Sequence, residues 1–150
     1  MKVYIQFHAN RAIYCLSYLS GDLIFVPKDQ SNDDNCLWET SGINSLEDIE
    51  PAPLSTSFLN LGQNLYFAPN TSSSPANGDY GSTLSTTPVD ITLLAGGPVI
   101  NDSIGLLAWT IINGAQNYLY VRKSGFMMPS WVTTTDPSDD IGFDIAIASA

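Results

Sequence analysis

The chain is poor in cations. Lys2, Arg11, Lys28, Arg122 and Lys123 stand against 15 acidic residues, for a net charge of −10. Five scattered cations cannot neutralise a run of phosphates, so nucleic acid and anionic membrane surfaces are excluded as expected partners. Histidine is scarcer still. His8 is the only one, and on an edge-like first strand it would have to carry any Ser-His-Asp or Cys-His machinery alone. No His/Cys grouping has zinc spacing, and no glycine-rich phosphate loop leads into a helix. The two cysteines, Cys15 and Cys36, sit in apolar strand-like runs. They read as reduced core thiols, with a single disulfide inside the first 50 or so residues left open.

Long apolar runs are missing as well. Nothing approaches the roughly 18 residues of a membrane span. The opening Met1-Lys2-Val3-Tyr4-Ile5-Gln6-Phe7-His8 alternates polar and apolar residues without an apolar h-region, and so reads as a strand rather than a signal peptide. A protein that is cytoplasmic, or released without a signal peptide, is the expectation. Asn70-Thr71-Ser72 and Asn101-Asp102-Ser103 match glycosylation acceptors, which carry little weight without a secretory signal. Helical periodicity is confined to Ser45-Leu46-Glu47-Asp48-Ile49, ended by Pro51 and Pro53. The acidic run Asp29 to Asp34 lacks the glycine-centred spacing of calcium loops and reads as solvated. No metal or cofactor is expected, and no enzymatic activity.

What the chain does have is repetition. Ile13-Tyr14, Leu65-Tyr66 and Leu119-Tyr120 recur about 52 and 54 residues apart. Each pair follows a short apolar run and a polar turn: Ile5-Gln6-Phe7 then His8 to Arg11, Phe58 to Leu61 then Gly62-Gln63-Asn64, and Trp109 to Ile112 then Asn113 to Asn117. Asp29-Gln30-Ser31-Asn32-Asp33 and Asp136-Pro137-Ser138-Asp139-Asp140 echo one another near the ends of the first and last units. Period-two patterning and Gly/Pro/Asn/Ser punctuation predict four strands per unit. They fall at 3–8, 12–18, 22–27 and 35–40; at 56–61, 64–68, 83–87 and 89–94; and at 106–112, 117–122, 130–135 and 142–148. One module cannot bury its own apolar face, whereas three around a common axis can. The expectation is an all-β, single-domain β-trefoil with units at about 1–52, 53–104 and 105–150, six strands closing a barrel and three hairpins capping one end. A β-sandwich, which needs no internal period, is the alternative.

Residues 21 to 38 carry a resemblance. Gly21, the apolar run Leu23-Ile24-Phe25-Val26, a polar loop, Asn35 and Trp38 are similar to the second half of a ricin-B-type lectin repeat. Leu106 to Asn113 followed by Tyr118 to Val121 resembles the junction between two such repeats. The resemblance implies a trefoil fold and a small carbohydrate-binding protein. Cys36 replaces the family's Gln in Gln-x-Trp, and neither other unit has that motif. Val26 stands where an aromatic ring stacks on the sugar. Tyr14, Tyr66 and Tyr120 stand where an Asp accepts hydrogen bonds from sugar hydroxyls. The family's usual galactose pocket is therefore not reproduced.

Sugar binding needs a flat aromatic face and a few fixed polar groups. The candidate ligand-binding residues are Tyr14, Tyr66 and Tyr120, Asp33 with Asn35, Asp79 beside Tyr80, and Asp140 near Trp131. Each has a plainer reading: the loop Asp and Asn residues bond their own backbone, and the tyrosines fill the core. Trp38 and Trp109 read as core outright. The expected partners are glycans or glycoconjugates, with homo-oligomerisation left open. Two rival functions remain. One is a trefoil-type protease inhibitor presenting the loop 124–129 or 70–81, the former unusually apolar with Phe126-Met127-Met128 at a hairpin tip. The other is an interaction domain of a larger assembly or toxin.

Overall fold

Alternation of buried and more exposed side chains is clearest at Asp22–Pro27, Trp38–Thr40, Phe58–Asn60 and Ser103–Ile112. A computed structural model describes residues 1–30, 33–50, 52–72, 80–122, 128–133, 140–141 and 143–147. Its strands are β1 (Lys2–Ala9), β2 (Ala12–Leu19), β3 (Asp22–Pro27), β4 (Trp38–Thr40), β5 (Leu54–Thr56), β6 (Phe58–Asn60), β7 (Leu65–Pro69) and β8 (Ser82–Ser85), followed by β9 (Ile91–Ala95), β10 (Ser103–Ile112), β11 (Ala115–Arg122), β12 (Pro129–Val132), β13 (Asp140–Ile141) and β14 (Phe143–Ile147). Single turns of 3-10 helix occupy Lys28–Gln30, Asp34–Cys36 and Leu46–Ile49. The protein is thus all-β, as the period-two patterning predicts.

The ladders are antiparallel, and the path of pairing returns to its start. β1 pairs with β4, β4 with β6, β5 with β9, β9 with β10, β10 with β14, and β14 with β1. β5 and β6 are one strand interrupted at Ser57, the first half turned to β9 and the second to β4. The interruption frees backbone groups that must be satisfied. Ser41 does this: its hydroxyl lies 3.0 Å from that of Ser57 and accepts the Ser57 N–H, while its own N–H donates to Thr56 Oγ1 at 2.9 Å. Three hairpins stand outside this path: β2–β3, β7–β8 and β11–β12. The first strand is not an edge. At Val3 it pairs with both Trp38 and Ile147, and His8 sits exposed at its far end, opposite Ile13.

The core is sealed by aromatic rings drawn from distant parts of the chain. Trp38, Phe67 and Trp131 are fully buried, with centroids 5.6 Å apart for Trp38–Phe67 and 5.5 Å for Phe67–Trp131. Both indoles find partners, as buried Trp requires. Trp38 Nε1 donates to Leu16 O at 3.1 Å, and Trp131 Nε1 to Ser82 Oγ at 3.0 Å. Cys15 and Cys36 are buried, and the Cys36 thiol donates to the Asp33 carbonyl at 2.8 Å. Burial raises the pKa of the neighbouring Tyr4 phenol, with Cys36 and then Cys15 adding to it. No helix among the described residues is long and apolar enough to cross a membrane.

The Leu46–Ile49 turn tucks two fully buried side chains under the sheet. It is tied down by Asp48, whose carboxylate accepts the backbone N–H groups of Asn44 (3.0 Å) and Ser45 (3.2 Å). These bonds favour the charged form and hold the Asp48 pKa below its usual value. A depressed folded-state pKa stabilises above the unfolded value, about 3.9, and that stability is lost as pH falls through the folded one. Asp48→Asn should therefore melt below wild type at pH 7, with the gap closing toward pH 3. A gap independent of pH in paired thermal melts would refute this origin.

Candidate functional site

Each hairpin carries one tyrosine that is paired on both flanks. Tyr14 lies between Phe7 and Pro27, Tyr66 between Leu59 and Ser85, and Tyr118 between Trp109 and Val132. All three are half-buried, so each ring keeps a face or edge in solvent. The spatial triplet is therefore Tyr14, Tyr66 and Tyr118, not the expected Tyr14, Tyr66 and Tyr120. Tyr120 sits two residues deeper in β11, opposite Ser130, and is buried at 8% exposure. The β10–β11 ladder ends at Tyr118, so Tyr120 lies beyond it, whereas Tyr14 and Tyr66 lie within the ladders that enter their hairpins.

The first of these tyrosines lines a cleft. Arg11, Ala12, Ile13, Tyr14, Pro27, Lys28 and Asp29 line this open cleft of roughly 640 Å³, a volume within the range of small-molecule sites. The Tyr14 ring is held by stacking on Phe7, with centroids 5.1 Å apart and planes 12° from parallel. Lys28 is held too: its Nζ donates to Gln6 Oε1 at 2.8 Å and lies 4.4 Å from the Tyr4 ring centroid. Arg11 reaches the cleft from the two-residue turn that joins β1 to β2. Asn10 (φ 51°) and Arg11 (φ 64°) both occupy the left-handed region, as a type I′ turn requires. For arginine, which lacks the short local hydrogen bond of Asn or Asp, this conformation costs about 1–2 kcal/mol. The corresponding turn between β10 and β11 is Asn113-Gly114, at φ 51° and 80°, with glycine where the strain falls.

The other expected site residues divide into those the fold uses internally and those outside the described set. Asp33 caps the Asp34–Cys36 turn, its Oδ1 accepting the Asn35 N–H at 3.0 Å. Asn35 Oδ1 accepts from Gln63 Nε2 (2.9 Å), and its carbonyl accepts from Asn60 Nδ2 (2.8 Å). Asp33 thus follows the plainer reading, in which a short polar side chain builds a turn, whereas the Asn35 side chain instead joins its turn to Gln63, 28 residues away. Trp131 is fully buried, so the expected loop site with Asp140 is corrected to a core position whose ring no ligand reaches. Asp140 pairs through its backbone with Arg122. Tyr80 exchanges backbone hydrogen bonds with Trp131 (2.9 and 2.8 Å), and its hydroxyl accepts from Asn113 Nδ2 at 3.3 Å. Asp79 lies outside the described residues, as do 73–79 of the loop 70–81 and 123–127 in the region of the other proposed bait loop. Met128, the described end of that apolar tip, is exposed and lines a small pocket with Leu19 and Ile24. Trp109, expected in the core, is half-exposed and leans on Tyr118 with centroids 5.9 Å apart.

A larger cleft of roughly 780 Å³ lies between Ala68–Ser72, Thr83–Thr86 and Thr110–Asn113. Among the described residues that line it there is no aromatic ring and no charged group, and several of its polar groups bond one another or the backbone. Ser72 Oγ donates to Asn70 Oδ1 at 2.6 Å, and Thr110 Oγ1 to Asp90 O at 2.8 Å. The Tyr14 cleft, though smaller, combines a fixed ring with two cations and a carboxylate. Sequence reasoning found Tyr14 but missed Arg11, Lys28 and Asp29 as its companions. The signal was present in Asn10-Arg11, a turn dipeptide of Asn-Gly type with the glycine replaced. Among the described residues no grouping of His, Cys, Asp and Glu is arranged to hold a metal ion. Neither protein-family profiles nor curated proteins match the chain.

Proposed function

We propose that this protein is a non-enzymatic, carbohydrate-binding β-trefoil. Two features support the trefoil. The six-membered path of pairing closes on itself, and three strands hold like positions within it: Trp38 between Val3 and Asn60, Leu93 between Leu54 and Ala108, and Ile145 between Ile104 and Ile5. The recurrence of a doubly flanked tyrosine in each hairpin, about every 52 residues, supports the same threefold arrangement. Glycan recognition rests on one observation above the rest, the Tyr14 ring fixed against Phe7 in the wall of a cleft that also holds Arg11, Lys28 and Asp29. The ring offers a face or edge to the apolar side of a pyranose. The charged groups bond hydroxyls, and the rigid hairpins keep the ordering cost of binding low. Tyr66 and Tyr118 give two further positions at which a weaker site would add avidity.

Binding at a single shallow site is expected to be micromolar or weaker. Tyr14→Ala should weaken it about tenfold, the value of one aromatic platform, while Tyr120→Phe, a core change, leaves it unaltered. A glycan array with erythrocyte agglutination provides the readout. Silence of the wild-type protein at high concentration in both assays would reject the reading.

A further inference from the structure

We infer that the Tyr14 cleft selects an acidic saccharide, one bearing a carboxylate or sulfate, rather than a neutral sugar; the inference rests on the glycan-binding reading above. A chain of net charge −10 repels anions at long range. Yet two of its five cations, Arg11 and Lys28, line this one cleft, against the single carboxylate of Asp29. Lys28 is ordered before any ligand arrives, by its bond to Gln6 and its seat over Tyr4. Arg11 is kept at a backbone position where the matching turn of β10–β11 has glycine. Fold stability alone favours glycine there, and strain that persists at a cleft rim points to use by a ligand. Guanidinium suits this use, because its planar fork matches a carboxylate or sulfate with two parallel hydrogen bonds. In this arrangement the acidic group of the sugar meets Arg11 with Lys28 behind it. Its ring packs on Tyr14, and its hydroxyls donate to Asp29.

The test is an array of matched saccharides, each core printed neutral and in sialylated, uronic-acid or sulfated form, followed by calorimetric titration of the best acidic member and its neutral counterpart. Wild type, Arg11→Gly and Lys28→Gln are compared at low and high salt. The acidic member should bind about tenfold or more tighter than the neutral one, and the advantage should shrink as salt screens it. Arg11→Gly should remove the advantage while melting no lower than wild type, since glycine relieves the turn. Lys28→Gln keeps a hydrogen-bond donor for Gln6 and should reduce the advantage independently of the turn. The sialylated, uronic and sulfated arms tell which acidic group is preferred. Equal binding of neutral and acidic members overturns the inference and leaves the glycan-binding reading standing. An acidic preference that survives in both variants also overturns it, because the anion is then held elsewhere. No signal from any saccharide overturns both readings together.

Discussion

Trp38→Ala is expected to lower the unfolding free energy by about 3–5 kcal/mol, the range for deleting a fully buried large aromatic side chain. The ring is completely enclosed, and it is the first link of the Trp38–Phe67–Trp131 chain that joins three remote segments. Its loss also leaves the Leu16 carbonyl without the indole N–H that satisfies it, which costs more than the lost contact area alone. Trp38→Phe separates the two contributions, restoring part of the packing but not the hydrogen bond, and should fall between alanine and wild type. Trp109→Ala is the control. That ring is half-exposed on the outer face of β10, so its removal should cost far less. Denaturant unfolding of the three variants measures the order. A Trp109→Ala loss equal to that of Trp38→Ala would mean that the core is not where these rings place it.

The contrast between the two tryptophans also shows how far the sequence can be read. All twelve strands anticipated from period-two patterning have a counterpart within a few residues, because Gly, Pro and Asn at their ends force the chain to turn. The single helical turn after Ser45 is there too. Which face of a strand points inward was harder to read. In β10 the buried positions are Ile104, Leu106, Ala108, Thr110 and Ile112, while Trp109 and Ile111 face outward. Both faces of Leu-Leu-Ala-Trp-Thr-Ile-Ile are apolar, so the pattern specifies a strand without specifying its orientation. Thr110 is accommodated inside because its hydroxyl donates to the Asp90 carbonyl, a long-range pairing that no local pattern announces. The same limit explains the third tyrosine. The repeated Leu-Tyr pair was visible, but where each entry ladder ends, and so whether Tyr118 or Tyr120 lies within it, depends on pairing across the turn. At the candidate site the aromatic residue was legible and its partners were not. Arg11 and Lys28 are separated by the whole β2–β3 hairpin and come together only when Tyr14 pairs with Pro27.

Gly62→Ala carries the second large expected effect. A Cβ at residue 62 would overlap the Asn35 side-chain amide and come within 2.9 Å of the Asn35 backbone nitrogen. The φ of Gly62 is not in the left-handed region, so the requirement for glycine here is one of space and not of backbone conformation. Neither side can give way freely. The Gly62 N–H donates to Asp34 O at 3.0 Å, the Leu61 N–H to Leu37 O at 3.0 Å, and Asn35 is held by Asn60 and Gln63. Forcing the methyl group in should cost about 1–3 kcal/mol, the usual penalty for overpacking. A double-mutant cycle separates the two collisions. Asn35→Ala removes the side-chain overlap, so the pair Asn35→Ala/Gly62→Ala should be less destabilised than the sum of the single changes, by an interaction energy of about 0.5–3 kcal/mol for residues in contact. The residual penalty reports the contact with the backbone nitrogen, which no side-chain change relieves. Gly62 also sits in the turn that delivers Tyr66 to its hairpin, whereas Tyr14 is delivered by the separate β1–β2 turn. The glycan binding proposed above for the Tyr14 cleft should therefore persist in Gly62→Ala at temperatures where the variant remains folded. Strict additivity in the cycle would show that residues 35 and 62 are not in contact, and with that the clamp between the Asp34–Cys36 turn and the turn joining β6 to β7 would fail.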